Sequence, residues 1–119
     1  MTFKIVYIED EPDICEAFAL LIESDTVEVF SFTSPTELLK NIDSIDPDLV
    51  ISDFRMPGMT GIELAQKLSP KLPKVLVTGE LNLKDTSAFI EVFHKPCDFK
   101  ALRKFVNEFE AKTTKRSAS

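Results

Sequence analysis

Five residues far apart in the sequence, Glu9, Asp10, Asp53, Thr78 and Lys95, share one kind of position. Each lies at, or directly after, the carboxyl end of a strand-like apolar run. If those runs pair in parallel, the five side chains meet at one sheet edge, the edge where open α/β sheets bind ligands. Three carboxylates within several ångströms repel one another by roughly a few kcal/mol per close pair, even at an effective dielectric near 20. A cation must offset that. An all-oxygen donor set with room for water suits Mg²⁺, which keeps part of its hydration shell and bridges readily to phosphate. Lys95 adds a second positive charge and Thr78 a hydroxyl donor, and together these groups describe a phosphoryl-transfer site. Asp53 is the nucleophile, because aspartate can take a phosphoryl group directly, and Glu9 and Asp10 are the better metal holders.

The elements that must position these residues can be read from the pattern. Apolar, β-branched runs at 3–8, 27–32, 49–51, 75–77 and 90–93 alternate with helix-like segments. The first segment sets Ile14, Phe18, Leu21 and Ile22 on one helical stripe, and the last sets Phe99, Leu102, Val106 and Phe109 on another. Ser34-Pro35-Thr36-Glu37 announces a second helix with a cap, a first-turn proline and a capping-box glutamate, and Thr60-Gly61-Ile62-Glu63 repeats the capping signal for a third. Strands alternating with crossover helices pair in parallel, so the expected fold is α/β, a small doubly wound sheet.

Composition narrows the function classes. The 119 residues suit one domain, and 44% hydrophobic with 29% charged residues is ordinary for a globular chain. No run approaches the length of a membrane span, the first residues carry no signal-peptide pattern, and a cytoplasmic location is expected. A net charge of −6 argues against direct nucleic-acid binding, which needs a basic footprint. Cys15 and Cys97 lack a metal-ligand spacing and are expected to be reduced, partly buried fillers. Residues 113–119 are polar and basic and read as a tail or linker stub beyond a domain of residues 1–112.

Four segments, Ile8-Glu9-Asp10-Glu11-Pro12, Asp53-Phe54-Arg55-Met56-Pro57-Gly58-Met59-Thr60-Gly61, Val77-Thr78-Gly79 and Lys95-Pro96, together resemble the response-regulator receiver family of two-component signalling. One such motif is weak; four in order at strand ends are specific, and the similarity runs up to the tail. The resemblance implies a five-stranded, flavodoxin-like sheet in the order 2-1-3-4-5 with helices on both faces. It implies a phosphoprotein switch, not an enzyme with an external substrate. Asp53 would accept phosphate from a histidine of a sensor kinase or phosphotransfer protein. Glu9, Asp10, Asp53 and the Arg55 carbonyl would hold Mg²⁺, Thr78 and Lys95 would bind the phosphoryl oxygens, and the bond before Pro96 would be cis. Phosphorylation adds about −1.5 to −2 charge and three acceptor oxygens, which would draw Thr78 inward. The output would be an unknown partner or domain, with homodimerisation open.

Two features depart from the family pattern. The position coupled to the threonine, three before the lysine, is Val92 instead of an aromatic, with Phe93 able to replace it only if the strand register shifts. The stretch Gly79 to His94 is short, so the fourth helix is expected to be short, displaced or absent. Arg55 and Glu80 fall on the loop positions that tune phosphoryl lifetime in the family. Singly, the residues have plainer explanations: an acidic helix start for Glu9 to Glu11, a turn hydroxyl for Thr78, a solvated strand end for Lys95. Strand alternation points His94 away from Lys95, as surface or packing, while Met56 and Met59 read as packing and Phe105 as partner surface or helix edge. A haloacid-dehalogenase-type phosphatase needs an acid two residues after its nucleophile, where Arg55 stands, and a flavodoxin-like cofactor binder needs a glycine-rich loop after the first strand, which is missing. The competing reading is a receiver-shaped interaction module that binds constitutively.

Overall fold

The computed structural model describes residues 2–96 and 98–118. Strands β1 (Phe3–Ile8), β2 (Val27–Phe32), β3 (Leu49–Asp53), β4 (Lys74–Thr78) and β5 (Glu91–His94) form a single sheet in the order β2-β1-β3-β4-β5. All its pairings are parallel, as the alternation with helices requires. The helices are α1 (Pro12–Ile22), α2 (Pro35–Ile45), α3 (Gly61–Lys67) and α4 (Phe99–Ala118).

Strand alternation divides the core into two layers. Phe3, Ile5 and Tyr7 of β1 join Ile51 of β3 and Val75 of β4 beneath Phe18 and Ile22 of α1 and Leu102 and Val106 of α4. On the opposite face Val6, Ile8 and Val50 pack with Leu38 of α2 and Leu64 of α3. The sheet is therefore covered on both sides, which explains why β3 and β4 are buried along their whole length. Tyr7 stacks on Phe18 with ring centroids 3.8 Å apart, and Phe18 meets Phe99 edge-on, which ties α1, β1 and α4 together.

Local signals account for the helix starts. Pro12 and Pro35 occupy first-turn positions, where the missing amide costs nothing. Thr60 and Glu63 form a complete capping box at α3. At α2 Ser34 Oγ accepts from the Glu37 amide, but the glutamate side chain faces Lys40 instead of returning to the cap.

Some details match the expectations and others need correction. On α1 the buried positions are Cys15, Phe18 and Ile22, whereas Leu21 is exposed. At about 100° per residue the buried arc centres between Phe18 and Ile22, and Leu21 falls outside it. Cys15 is a buried free thiol, while the Cys97 reading lies outside the described residues. Phe105 is half-buried, between Phe93 and Phe109. No helix forms between β4 and β5 among the described residues; turns occupy that link, and the final helix is α4. That helix continues through residues 113–118. None of the helices among the described residues is long and apolar enough to cross a membrane.

Candidate functional site

Because the strands are parallel, their carboxyl ends share one edge, and chemistry-bearing residues occupy it. Asp53 ends β3, Thr78 ends β4, Glu9 directly follows β1, and Lys95 directly follows β5. The edge includes the point between β1 and β3 where the chain winds in opposite directions, so a crevice opens there. Glu9, Asp10 and Asp53 each place a carboxylate oxygen within 4.8 Å of the others, with Glu9 and Asp53 buried and Asp10 more open. Lys95 Nζ lies 2.9 Å from Asp53 Oδ1 and 3.9 Å from Glu9 Oε2.

The backbone holds this arrangement in place. The Phe54 amide donates to Asp53 Oδ1 at 3.0 Å, so that oxygen receives two donors. The Lys95 amide donates to the Thr78 carbonyl at 2.8 Å, tying the β4 and β5 ends together, and the Lys95–Pro96 bond is cis. Gly61 lets α3 approach: a Cβ there would lie 2.5 Å from the Asp53 carbonyl oxygen and 2.9 Å from Leu76 Cδ1. Its amide donates to the Phe54 carbonyl at 2.8 Å, so the helix start rests directly on the Asp53 loop.

Crowding of like charge shows in the electrostatics. Burial, then the charge of Asp53 and a hydrogen bond with Asp10, push the Glu9 carboxyl up to about 8, with Lys95 opposing. Burial disfavours the Lys95 ammonium, but its hydrogen bond to Asp53 and the charges of Asp53, Glu9 and Asp10 outweigh that and hold it above the usual lysine value. The site is therefore short of positive charge at neutral pH, and a divalent cation would supply it.

Thr78 is buried, and its Oγ1 accepts from the Glu80 amide at 2.9 Å, so the plain turn-hydroxyl role is met as well. A cleft of about 210 Å³ lies between Asp53, Thr78 and Lys95 and extends to Arg55 and Glu80. These two side chains form an ion pair joining the β3 and β4 loops, with the Arg55 guanidinium also 5.9 Å from the Phe54 ring centroid. The structure thus brings together Glu9, Asp10, Asp53, Thr78 and Lys95 and sets Arg55 beside them. His94 is exposed, and Met56 is buried with Met59 packed against the same cluster. β5 keeps its register, Leu76 opposite Val92 and Val77 opposite Phe93, so Phe93 packs edge-on against Phe105 and does not replace an aromatic at Val92.

Sequence reasoning gave Lys74 no role and quoted Gly61 only as part of a motif. The packing need for that glycine arises from the β3–α3 approach, which no local pattern states. Lys74 is buried at the start of β4, with Nζ donating to the Ser69 and Leu72 carbonyls at 2.6 and 2.8 Å. Those acceptors exist only once the α3–β4 link has folded.

Comparisons with known proteins agree with this geometry. Residues 5–107 match the family model described as response regulator receiver domain. The chain is 41% identical over 79 residues to the C4-dicarboxylate transport transcriptional regulatory protein DctD of Rhizobium meliloti, covering 64% of this chain and 17% of that protein. It is 30% identical over 112 residues to the transcriptional regulatory protein GlrR of Escherichia coli, covering 87% of this chain and 25% of that one. It thus spans a minor part of these longer relatives. Among solved structures, a receiver domain from Clostridium thermocellum superimposes with a TM-score of 0.81 at 26% identity, covering 96% of this chain and 98% of the other. A CheY-like receiver domain from Methanospirillum hungatei gives 0.84 at 23% identity, covering 98% and 99%, and supports the fold. With strand order, edge chemistry and family model in agreement, the chain belongs to the response regulator receiver family of two-component systems.

Proposed function

We propose that this receiver is a cytoplasmic switch that accepts a phosphoryl group on Asp53 from a phosphohistidine of a sensor kinase or phosphotransfer protein. Glu9, Asp10, Asp53 and the Arg55 carbonyl would hold Mg²⁺. The observation that carries the reading is the placement of the Lys95 ammonium 2.9 Å from Asp53 among three carboxylates whose oxygens lie within 4.8 Å. Three carboxylate oxygens this close would suit a small hard cation such as Mg²⁺, which takes oxygen ligands and keeps part of its hydration shell. When bound, the ion neutralises charge on the carboxylates and on the incoming phosphoryl group.

An Asp53 oxygen forms the new bond to phosphorus as the P–N bond of the donor breaks. The electron pair of that bond returns to the imidazole nitrogen, and the ring leaves as neutral imidazole because its other nitrogen carries a proton in the donor. Lys95 balances charge on the phosphoryl oxygens, and Thr78, whose Oγ1 already accepts the Glu80 amide, directs its O–H at one of them. The chain catalyses only its own modification.

A specific observation favours a second reading, constitutive binding. Val92 has no aromatic ring to swing, Phe93 is committed to Phe105, and the β4–β5 link lacks a helix among the described residues. Titration with beryllofluoride and Mg²⁺, followed through backbone amide resonances, separates the two. Saturable shifts at Gly79 and Lys95 support the phosphoacceptor. No shift at saturating reagent favours the constitutive module.

A further inference from the structure

A concavity lies at the other end of the sheet, where β3 and β4 begin. α3 has 7 residues against 11 in α2, about 10 Å of helix against about 16 Å. It ends before covering the amino-terminal edge, and the link through Ser69, Pro70 and Pro73 turns back to β4 with no further helix. A half-open cavity of about 600 Å³ remains under that link, bounded also by the end of α2 and the far end of α4. Pockets of roughly 300–1,000 Å³ hold small ligands.

The lining is ordered by chemistry. Ile42, Leu68, Leu72 and Phe109 supply an apolar floor. Asp43 and Asp46 stand on the α2 side, exposed, and Asp46 is fixed in a left-handed conformation at φ 52° as the end of that helix. Lys67, Lys71 and Lys112 stand on the α3 and α4 side, also exposed. Asp48 on the acidic side already accepts the Lys4 amide and is less available. A neutral apolar molecule would use only the floor, and a simple anion or cation only one bank. A second copy docking through the same concavity would enclose two facing hollows, which interface packing does not favour.

We infer that this cavity binds a small zwitterion with an apolar body, of the class of short peptides with aromatic or branched side chains, its ammonium toward Asp43 and Asp46 and its carboxylate toward Lys67, Lys71 and Lys112. The site is separate from Asp53, and the inference does not depend on the phosphoacceptor reading.

The probe is the dipeptide leucyl-phenylalanine, titrated against the whole chain by backbone amide resonances, with its N-acetyl and C-amide forms as controls. Saturable shifts around Leu72 and Phe109 are expected, with each capped form binding about tenfold more weakly. Asp43→Asn with Asp46→Asn, which keeps a residue tolerant of the left-handed conformation, should weaken the free dipeptide about tenfold and leave the N-acetyl form unaffected. Lys67→Gln with Lys71→Gln should do the same for the carboxylate end. Circular dichroism and unchanged resonances around Asp53 establish that the variants fold. Absence of saturable shifts up to about 10 mM, equal binding of the capped forms, or unchanged affinity in folded variants would each overturn the assignment.

Discussion

Gly61→Ala tests the packing that sets Asp53 in place. The added Cβ would lie 2.5 Å from the Asp53 carbonyl oxygen, 2.9 Å from Leu76 Cδ1 and 3.0 Å from Ser52 Oγ. The nearest of these is backbone in a fully buried strand, so no rotamer change relieves it; the start of α3 must lift off β3. That movement strains the 2.8 Å bond from the Gly61 amide to the Phe54 carbonyl and crowds the capping box beside it. Overpacking of this kind costs about 1–3 kcal/mol. Alanine gains at most about 1 kcal/mol of helix propensity, and less in a first turn, so the net sign is destabilising. For 119 residues the unfolding entropy is about 250 cal/mol/K, so each 1 kcal/mol of net loss lowers Tm by about 4 °C, and the whole fall is up to about 12 °C. Gly79→Ala is the control, because its Cβ would meet Lys95 Cβ at 3.8 Å, an ordinary contact. Thermal and urea unfolding of both variants measure the effect. A Gly61→Ala protein within about 0.5 kcal/mol of wild type, or less affected than Gly79→Ala, would refute the argument.

Three further outcomes follow from the same structure. The Arg55–Glu80 pair is solvent-exposed, so Arg55→Ala or Glu80→Ala should change unfolding free energy by less than about 1 kcal/mol. Breaking that link between the loops should nonetheless admit water and shorten the aspartyl-phosphate half-life severalfold; an unchanged half-life counts against it. Glu9, raised from 4.5 to about 8, keeps a proton in the folded state that the unfolded chain has released. Metal-free stability should therefore fall as pH rises through that window, by up to about 1.4 kcal/mol per unit, while Mg²⁺ affinity rises. Urea midpoints in a chelator from pH 5 to 8 should show the slope in wild type and lose it in Glu9→Gln. Leu102→Ala empties a fully buried position between α4 and the sheet and should cost about 2–5 kcal/mol in denaturant unfolding; a smaller loss would mean α4 is only loosely docked.

The architecture was legible because its signals are local and repeated. β-branched runs ending in a carboxylate, a threonine or a lysine gave both the strands and the edge where Asp53, Thr78 and Lys95 meet. Parallel pairing then followed from the helices between them. What remained hidden depends on relations between distant segments. Leu21 and Cys15 are both compatible with an apolar stripe, and only docking of α1 against Tyr7 and Phe99 decides which faces inward. Lys74 reads as a polar strand boundary until the link from α3 presents two carbonyls to its ammonium. The cavity at the base exists because α3 stops after Lys67, and a periodicity argument fixes helix ends poorly. The departure at Val92 was visible in the sequence, yet its consequence needed the β4–β5 register, which commits Phe93 to the α4 layer.

The most direct test of the account is the intact mass of the protein after incubation with acetyl phosphate and Mg²⁺, run beside Asp53→Asn and a chelated sample. The account predicts one phosphoryl adduct on the wild-type chain, absent in Asp53→Asn and absent without the metal. An adduct that persists in Asp53→Asn, or none on a wild-type chain that also ignores beryllofluoride, would contradict it.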